Sequence, residues 1–373
     1  MHLDRRQLFQ QFGVAAAASA VLPSLLESAA AATDVSASLV RLNRNESAYG
    51  PSEKAKAAFH QAVAEAGRYP GQDVEDLRAT LATLHRVRSE NITLGCGSRE
   101  LLRMAADVWL GPGKSLVMAS PAFGAIAQAA QLTGAEVRSV QLNRVHAHDL
   151  DVMLARTDAT TGVLYICNPN NPTGTLTPRA DLEVFFAKVP SNITLLVDEA
   201  YHDYVTPTGT YASWAARAAV DPHLIVTRTF SKVYGLAGLR VGYAVSSAET
   251  AKRLAARRLP MDVSVVAARV ALAALSDQAY VSRIASLNSD DRQEFFNQAN
   301  ARMLRSLDSH TNFVLMASGR SGEEVVGMLR AKGVLVTAGH AAYEKHIRVS
   351  LGLAEEMQVF WRAWDACMPH HPM

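Results

Sequence analysis

Short apolar runs alternate with helix-like segments along this chain, and that alternation constrains the fold more than any other feature. The runs are "NITL" near Ile92, "SLVMAS" (115–120), "AEVRSV" (135–140), "GVLYIC" (162–167), "TLLVDEA" (194–200) and "HLIVTRTF" (223–230). Residues 100–110, 123–132 and 178–188 between them read as helices, the last with Thr177 as its cap and Pro178 at the first helical position. Strands that are apolar throughout are buried on both faces, so the pattern implies a mostly parallel sheet covered by helices on each side, an α/β core. After Ala248 the pattern turns helical to about Ala301. Strand-like pieces then return at "NFVLMA" (312–317), "VLVT" (334–337) and "IRVSL" (347–351), which reads as a second, smaller α/β domain. A length of 373 residues suits one large and one smaller domain, and no tandem repeat interrupts the series.

Charge narrows the partners. With 37 basic and 35 acidic side chains, a formal charge of +2 gives no electrostatic reason to expect nucleic acid or an anionic membrane, so small molecules are the expected ligands. The first 32 residues read as an address: Arg5 and Arg6 precede an alanine-rich apolar run over 12–26, broken at Pro23, and "SAAAAT" then offers small residues for a signal peptidase. This resembles a twin-arginine export signal cleaved after Ala32 and implies a periplasmic or otherwise exported protein; the run is too short and alanine-rich to span a bilayer. Such export carries folded proteins, which suits an enzyme that takes up its cofactor before leaving the cytoplasm. Three cysteines, Cys96, Cys167 and Cys367, cannot all pair within one chain, and the first two are expected as small, semi-buried residues. His146 and His148, like His370 and His371, lack matching cysteine or acid ligands, so no metal site is expected and most are expected to be solvated.

Ligands of an open α/β sheet gather at the carboxyl ends of its strands, and there the unusual residues stand. "GCGSRE" (95–100) follows a strand and opens a helix, where glycines and free N–H groups can hold an anion. "NPNNPTG" (168–174) makes a rigid polar turn, and "VDEAYHDY" (197–204) sets Asp198 directly after a buried run. "TRTFSKVYGLAGLRVGY" (227–243) places Lys232 between hydroxyl residues and a glycine-punctuated turn. A lysine costs free energy to desolvate unless its amine has a partner or a chemical task, such as forming a Schiff base. Singly these motifs read as a packing turn, a loop, a capping or salt-bridging acid and a solvated lysine. Together they are the parts that hold pyridoxal 5'-phosphate: an amine for the aldehyde, hydroxyls, N–H groups and an arginine for the phosphate, and an anion for the pyridine nitrogen.

The ordered series "LNRNESAYGPS", "RYPG", "GCGSRE", "SPAFG", "CNPNNPTG", "VDEAY", "RTFSKVYGLAGLRVGY" and "IRVSLG" resembles the class-II branch of fold-type-I aminotransferases, histidinol-phosphate aminotransferases above all, over about residues 41–352. The resemblance implies a large domain with a mostly parallel seven-stranded sheet (52–275), an N-terminal arm (33–51) and a small C-terminal α/β domain (276–373). It implies Lys232 as Schiff-base lysine and acid/base, its pKa lowered near the cofactor and Arg240. Asp198 would pair with the pyridine N–H, Asn171 and Tyr201 with the ring oxygen, and Phe123 would stack on the ring. Gly97, Ser98, Arg99, Thr229, Ser231 and Arg240 would hold the phosphate, together with Tyr69 from the partner subunit of a homodimer. Arg348 would bind the anionic end of the substrate, with Tyr49 and Asn45 of the arm covering it.

Three positions depart from the family pattern. Thr337 stands where histidinol-phosphate enzymes usually carry an arginine, Ser47-Ala48 where Asn-Pro is usual, and Arg99 where an acidic or small residue is usual. Loss of one charge-assisted contact weakens phosphate recognition by about 1.5–3 kcal/mol. The expected activity is therefore an exported aminotransferase acting between an amino acid, or a related amine, and a 2-oxo acid. Histidinol-phosphate transamination is the near alternative; decarboxylase, lyase or racemase chemistry on the same cofactor, and a non-catalytic exported binding protein, are the others.

Overall fold

A computed structural model describes residues 39–206 and 208–368. The twin-arginine reading of residues 1–32 and the tail histidines His370 and His371 lie outside them. The strands are β1 (Val40–Arg41), β2 (Ile92–Gly95), β3 (Ser115–Ser120), β4 (Glu136–Gln141), β5 (Thr161–Cys167), β6 (Thr194–Asp198), β7 (Leu224–Thr229), β8 (Gly242–Ser246), β9 (Phe313–Ala317), β10 (Val334–Leu335), β11 (Thr337–Ala338) and β12 (His346–Ser350). Seven of them form the main sheet in the order β2-β8-β7-β6-β5-β3-β4. The β4-β3-β5-β6-β7 block is parallel, whereas β8 runs antiparallel to both β7 and β2. Apolar runs mark six of these strands. The seventh, β8, lies in the stretch read as a glycine-punctuated turn, because its glycine and hydroxyl residues mask a strand that is nevertheless buried throughout.

Successive side chains of a strand point to opposite faces, and here both faces are covered. Val117, Leu164, Ile166, Val197 and Val226 enter one core with Leu77, Leu81 and Val270, while Leu116, Val163, Tyr165, Leu196 and Ile225 enter another with Leu101, Leu102 and Ile126. The first core is closed by α1 (Glu53–Ala62), α2 (Gln72–His85) and α9 (Val265–Leu275), the second by α3 (Ser98–Trp109) and α4 (Ala125–Leu132). The remaining helices are α5 (Leu150–Ala155), α6 (Arg179–Lys188), α7 (Ala215–Ala218), α8 (Ala248–Ala255), α10 (Gln278–Ala301), α11 (Gly322–Ala331) and α12 (Ala354–Cys367). A third core gathers Leu42, Phe295, Val314, Met316, Leu329, Ile347, Phe360 and Trp364 around the antiparallel sheet β11-β12-β9. Each large aliphatic or aromatic side chain buried there contributes about 1.5–3 kcal/mol.

Several expectations need local correction. "VLVT" is not one strand: Val334 and Leu335 pair in parallel with Val40 and Arg41, tying the arm to the third core, while Thr337 and Ala338 pair antiparallel with Arg348 and Ile347. Thr177 does not cap α6. Pro178 occupies the cap position, and the Thr177 hydroxyl faces His148 Nδ1 at 2.6 Å instead. His148 is buried rather than solvated, and burial pushes its imidazole pKa down to about 4. Cys96 is exposed and Cys167 fully buried, so neither is semi-buried.

Candidate active site

Strand register builds the site. Cys167 on β5 lies across from Asp198 on β6, and Thr229 on β7 lies across from Gly242 on β8, which in turn faces Gly95 on β2. The carboxyl ends of the parallel strands, the start of β8 and the β2–α3 turn therefore meet on one edge. Gly97 at that turn has φ +78, and a Cβ there would collide with the Arg240 guanidinium; a Cβ on Gly242 would collide with the Ser98 amide. Both positions need glycine for close approach. The result is a cavity of about 580 Å³ whose lining includes Ser98, Arg99, Phe123, Asn171, Asp198, Tyr201, Thr229, Ser231, Lys232, Arg240 and Arg348.

At one end of the cavity, α3 begins without a side-chain cap, leaving its first N–H groups available. Thr229 Oγ1 donates to Ser231 Oγ at 2.9 Å, and Arg240 Nη1 donates to the same Ser231 Oγ at 3.2 Å. Among the described residues Arg240 has no carboxylate partner; its other bond goes to the Ala237 carbonyl at 2.8 Å. These groups form a cup of donors for an anion. The Arg99 guanidinium lies 5.5 Å over the Phe123 ring, so its side chain reaches the cavity as well as its backbone.

Lys232 sits at the centre. Its Nζ donates to the Asn45 carbonyl at 2.7 Å and lies 5.3 Å from the Tyr201 ring centre. Burial, then the Arg348 charge, with a smaller push from Arg240 and opposition from Glu46, lowers its pKa to about 7. The sequence-based expectation named Arg240 as the protein charge responsible, but burial and Arg348 matter more. Asp198 is 1% exposed, accepts from the Tyr165 hydroxyl at 3.1 Å and the Ala200 amide at 3.2 Å, and burial raises its carboxyl to about 6.

Arg348 Nη1 donates to Asn171 Oδ1 at 2.8 Å and its Nη2 to the Asn43 carbonyl at 2.9 Å and Thr337 Oγ1 at 3.4 Å. Thr337 itself donates to the Asn43 carbonyl at 2.7 Å, directly across the sheet from Arg348. The "NPNNPTG" turn is held by its own amides: Asn168 brackets Thr177 through both N–H and C=O, and Asn170 Nδ2 donates to the Pro121 carbonyl.

One residue expected at the substrate lies elsewhere, and the residue expected to reach the partner's phosphate stands at the surface. Tyr49 does not line the cavity: it donates to Asp291 Oδ2 of α10 at 2.7 Å, and the Tyr280 hydroxyl holds the neighbouring arm backbone at the Gly50 carbonyl. Tyr69 is 82% exposed and outside the cavity of its own protomer. Sequence reasoning missed Tyr165, whose hydroxyl in an otherwise apolar run was the available signal, and the lining residues Asn43, Arg44, Glu46 and Cys167.

A half-buried amine poised near neutrality, a donor cup and a strand-end acid at the carboxyl edge of this sheet are what a group-transfer enzyme of the α/β class presents. The chain belongs to the class I and II aminotransferase family, which it matches over residues 37–363. It is 40% identical to histidinol-phosphate aminotransferase 1 of Cupriavidus pinatubonensis, covering 89% of both chains. It is also 36% identical to the histidinol-phosphate aminotransferase of Moorella thermoacetica, over 87% of this chain and 84% of that one. Among solved structures, histidinol-phosphate aminotransferase from Sinorhizobium meliloti in complex with pyridoxal-5'-phosphate superimposes with a TM-score of 0.83 at 28% identity, covering 88% of this chain and 90% of that one.

Proposed function

We propose that the cavity binds pyridoxal 5'-phosphate and moves an amino group between an amino acid, or a related amine, and a 2-oxo acid, with Lys232 as the working base. The residues fit the cofactor on three counts. The donor cup of α3, Thr229, Ser231 and Arg240 suits a phosphate. Asp198, buried with only neutral donors from the protein, is ready for a pyridine N–H that would favour its ionised form. Lys232 supplies a deprotonatable amine between them. When bound, the cofactor supplies an aldehyde that condenses with amines and a ring that accepts the electron pair of a broken Cα bond.

The chain's own residues do the rest. Lys232, its amine lowered to about 7, takes a proton from the substrate carbon and returns one to its new position. Arg348, already aimed by Asn171, Asn43 and Thr337, offers a planar fork to a substrate carboxylate. Phe123 gives the ring an apolar face. The observation that carries this reading is the single cavity in which Lys232 meets Asp198, Arg348 and the donor cup of Ser98, Thr229, Ser231 and Arg240.

Histidinol phosphate is the second reading, supported by the similarity to enzymes of that name. Thr337 favours the first, since it spends its hydroxyl on Asn43 and Arg348 and position 337 supplies no cation beside Arg348. The proposal extends to a homodimer in which Tyr69 of one protomer completes the other's cup, and to export directed by residues 1–32 with the arginine pair Arg5 and Arg6. Cell fractionation with N-terminal sequencing tests the export; recovery of an uncleaved cytoplasmic chain overturns it.

The test of function is the visible spectrum of the cofactor-loaded protein as single amino acids and then histidinol phosphate are added. Conversion to the pyridoxamine form by a donor supports transamination and names the donor. A band that never converts supports a lyase, decarboxylase or racemase, and a normal band in Lys232→Ala overturns the assignment of the lysine.

A further inference from the structure

Asn45 joins the arm to residues of both the main sheet and the smaller one, and its hydrogen bonds fix the direction of one of the two amides that face Tyr201. It is 2% exposed and sits at φ +53, a left-handed conformation that asparagine tolerates better than other side chains but still at a cost. Its backbone carbonyl accepts from Lys232 at 2.7 Å and from Asn312 Nδ2 at 3.1 Å. Its backbone N–H donates to Ser350 Oγ at 2.8 Å, and that hydroxyl donates back to Asn45 Oδ1 at 3.3 Å. With Oδ1 so engaged, Nδ2 faces the Tyr201 hydroxyl at 3.0 Å and donates to it.

Asn171 is fixed the same way from the other side. Arginine has only donors, so Arg348 Nη1 selects Asn171 Oδ1, and Asn171 Nδ2 is left facing the Tyr201 hydroxyl at 3.4 Å. Tyr201 therefore accepts from two amides. A hydroxyl has two acceptor positions and one donor, so its own proton has no acceptor among these neighbours and points to the cavity. The other groups facing Tyr201 are Lys232, Arg348, Asp198 and Cys167, with Phe313 edge-on against the ring.

We propose that Asn45 is a positioning residue that makes Tyr201 an obligate donor toward the anionic ring oxygen of the bound cofactor. The inference rests on the cofactor reading above. Donation to that oxygen stabilises its anionic form and lowers the pH at which the lysine-linked chromophore loses its proton.

The test is a pH titration of the visible absorbance of the cofactor-loaded protein. Asn45→Gly removes the amide, suits the positive φ and keeps the carbonyl that Lys232 and Asn312 use. Its titration midpoint should rise by about half to one pH unit. The same substitution in a Tyr201→Phe background should move the midpoint no further, since the hydroxyl it acts through is gone. An unmoved midpoint in Asn45→Gly, or an equal shift in both backgrounds, overturns the inference. Asn45→Asp, of the same shape, serves where the glycine variant does not fold; the part of its shift that vanishes in the Tyr201→Phe background is then the readout. Absence of any visible band in the loaded wild-type protein overturns the cofactor reading itself, whereas a normal band with an unmoved midpoint overturns only the role of Asn45.

Discussion

Burial beside Arg348 leaves Lys232 with an amine that protonates at about 7 in the fold, against 10.5 for an unperturbed lysine. Between those values the unfolded chain binds more protons than the native one, so this group makes stability rise with pH across that window. Replacing it should therefore help most where the wild type carries the burden of a buried charge. Cofactor-free Lys232→Met should resist urea better than wild type at pH 7, and the advantage should shrink as pH approaches 10. An advantage that does not change with pH would mean that the amine is not what the fold is straining against. The proposed role explains why such a lysine persists: the same burial that costs stability would keep a base deprotonatable near neutrality.

Between elements, β6 and β7 are tied by a pair on the face opposite the cofactor side. Arg228 Nε and Nη2 both donate to Glu199 Oε2, at 2.9 and 2.7 Å, Ser213 bridges them, and the Trp214 amide donates to Glu199 Oε1. Glu199 and Arg228 are chain neighbours of Asp198 and Thr229, so the pair sets the height of both functional strand ends. Glu199→Ala leaves the buried Arg228 guanidinium with only Asp203, 4.0 Å away, as a carboxylate partner among the described residues and should cost about 3 kcal/mol in denaturant unfolding, while Glu199→Ala with Arg228→Met should recover part of it. A single variant as stable as wild type would show that the pair does not hold the strands. The β2–α3 turn makes a second prediction. Gly97→Ala forces a Cβ against Arg240 in a backbone conformation unsuited to alanine, and should weaken cofactor binding about tenfold or more by fluorescence titration, with the secondary structure unchanged.

On the scale of the whole molecule, the proposed dimer makes each cavity depend on both chains. Tyr69 is 82% exposed in its own protomer, and Leu259 and Met261 are also exposed. Mixing inactive Lys232→Ala with weakened Tyr69→Ala protein, followed by subunit exchange, gives hybrids with one cavity that has both residues. Half the dimers are then hybrids with one of two sites intact, so activity should return to about a quarter of wild type. No recovery after verified exchange would place Tyr69 outside the partner's site.

The sequence by itself determined the class of fold and most of the chemical parts. Uniformly apolar strand runs could be stable only with both faces covered, Lys232 and Asp198 stood out because polar groups beside buried strands need a reason to be there, and Asn171, Ser231 and Arg240 were named by the family resemblance. It could not reveal β8, whose one glycine, Gly242, serves close approach to the start of α3 rather than a turn. Nor could it reveal Tyr165 under Asp198, the departure of Tyr49 to Asp291, or the two amides that converge on Tyr201. Those were decided by tertiary structure, because Asn45, Asn171, Tyr201 and Arg348 are separated by up to about three hundred residues and only strand register and domain packing bring their hydrogen bonds within reach.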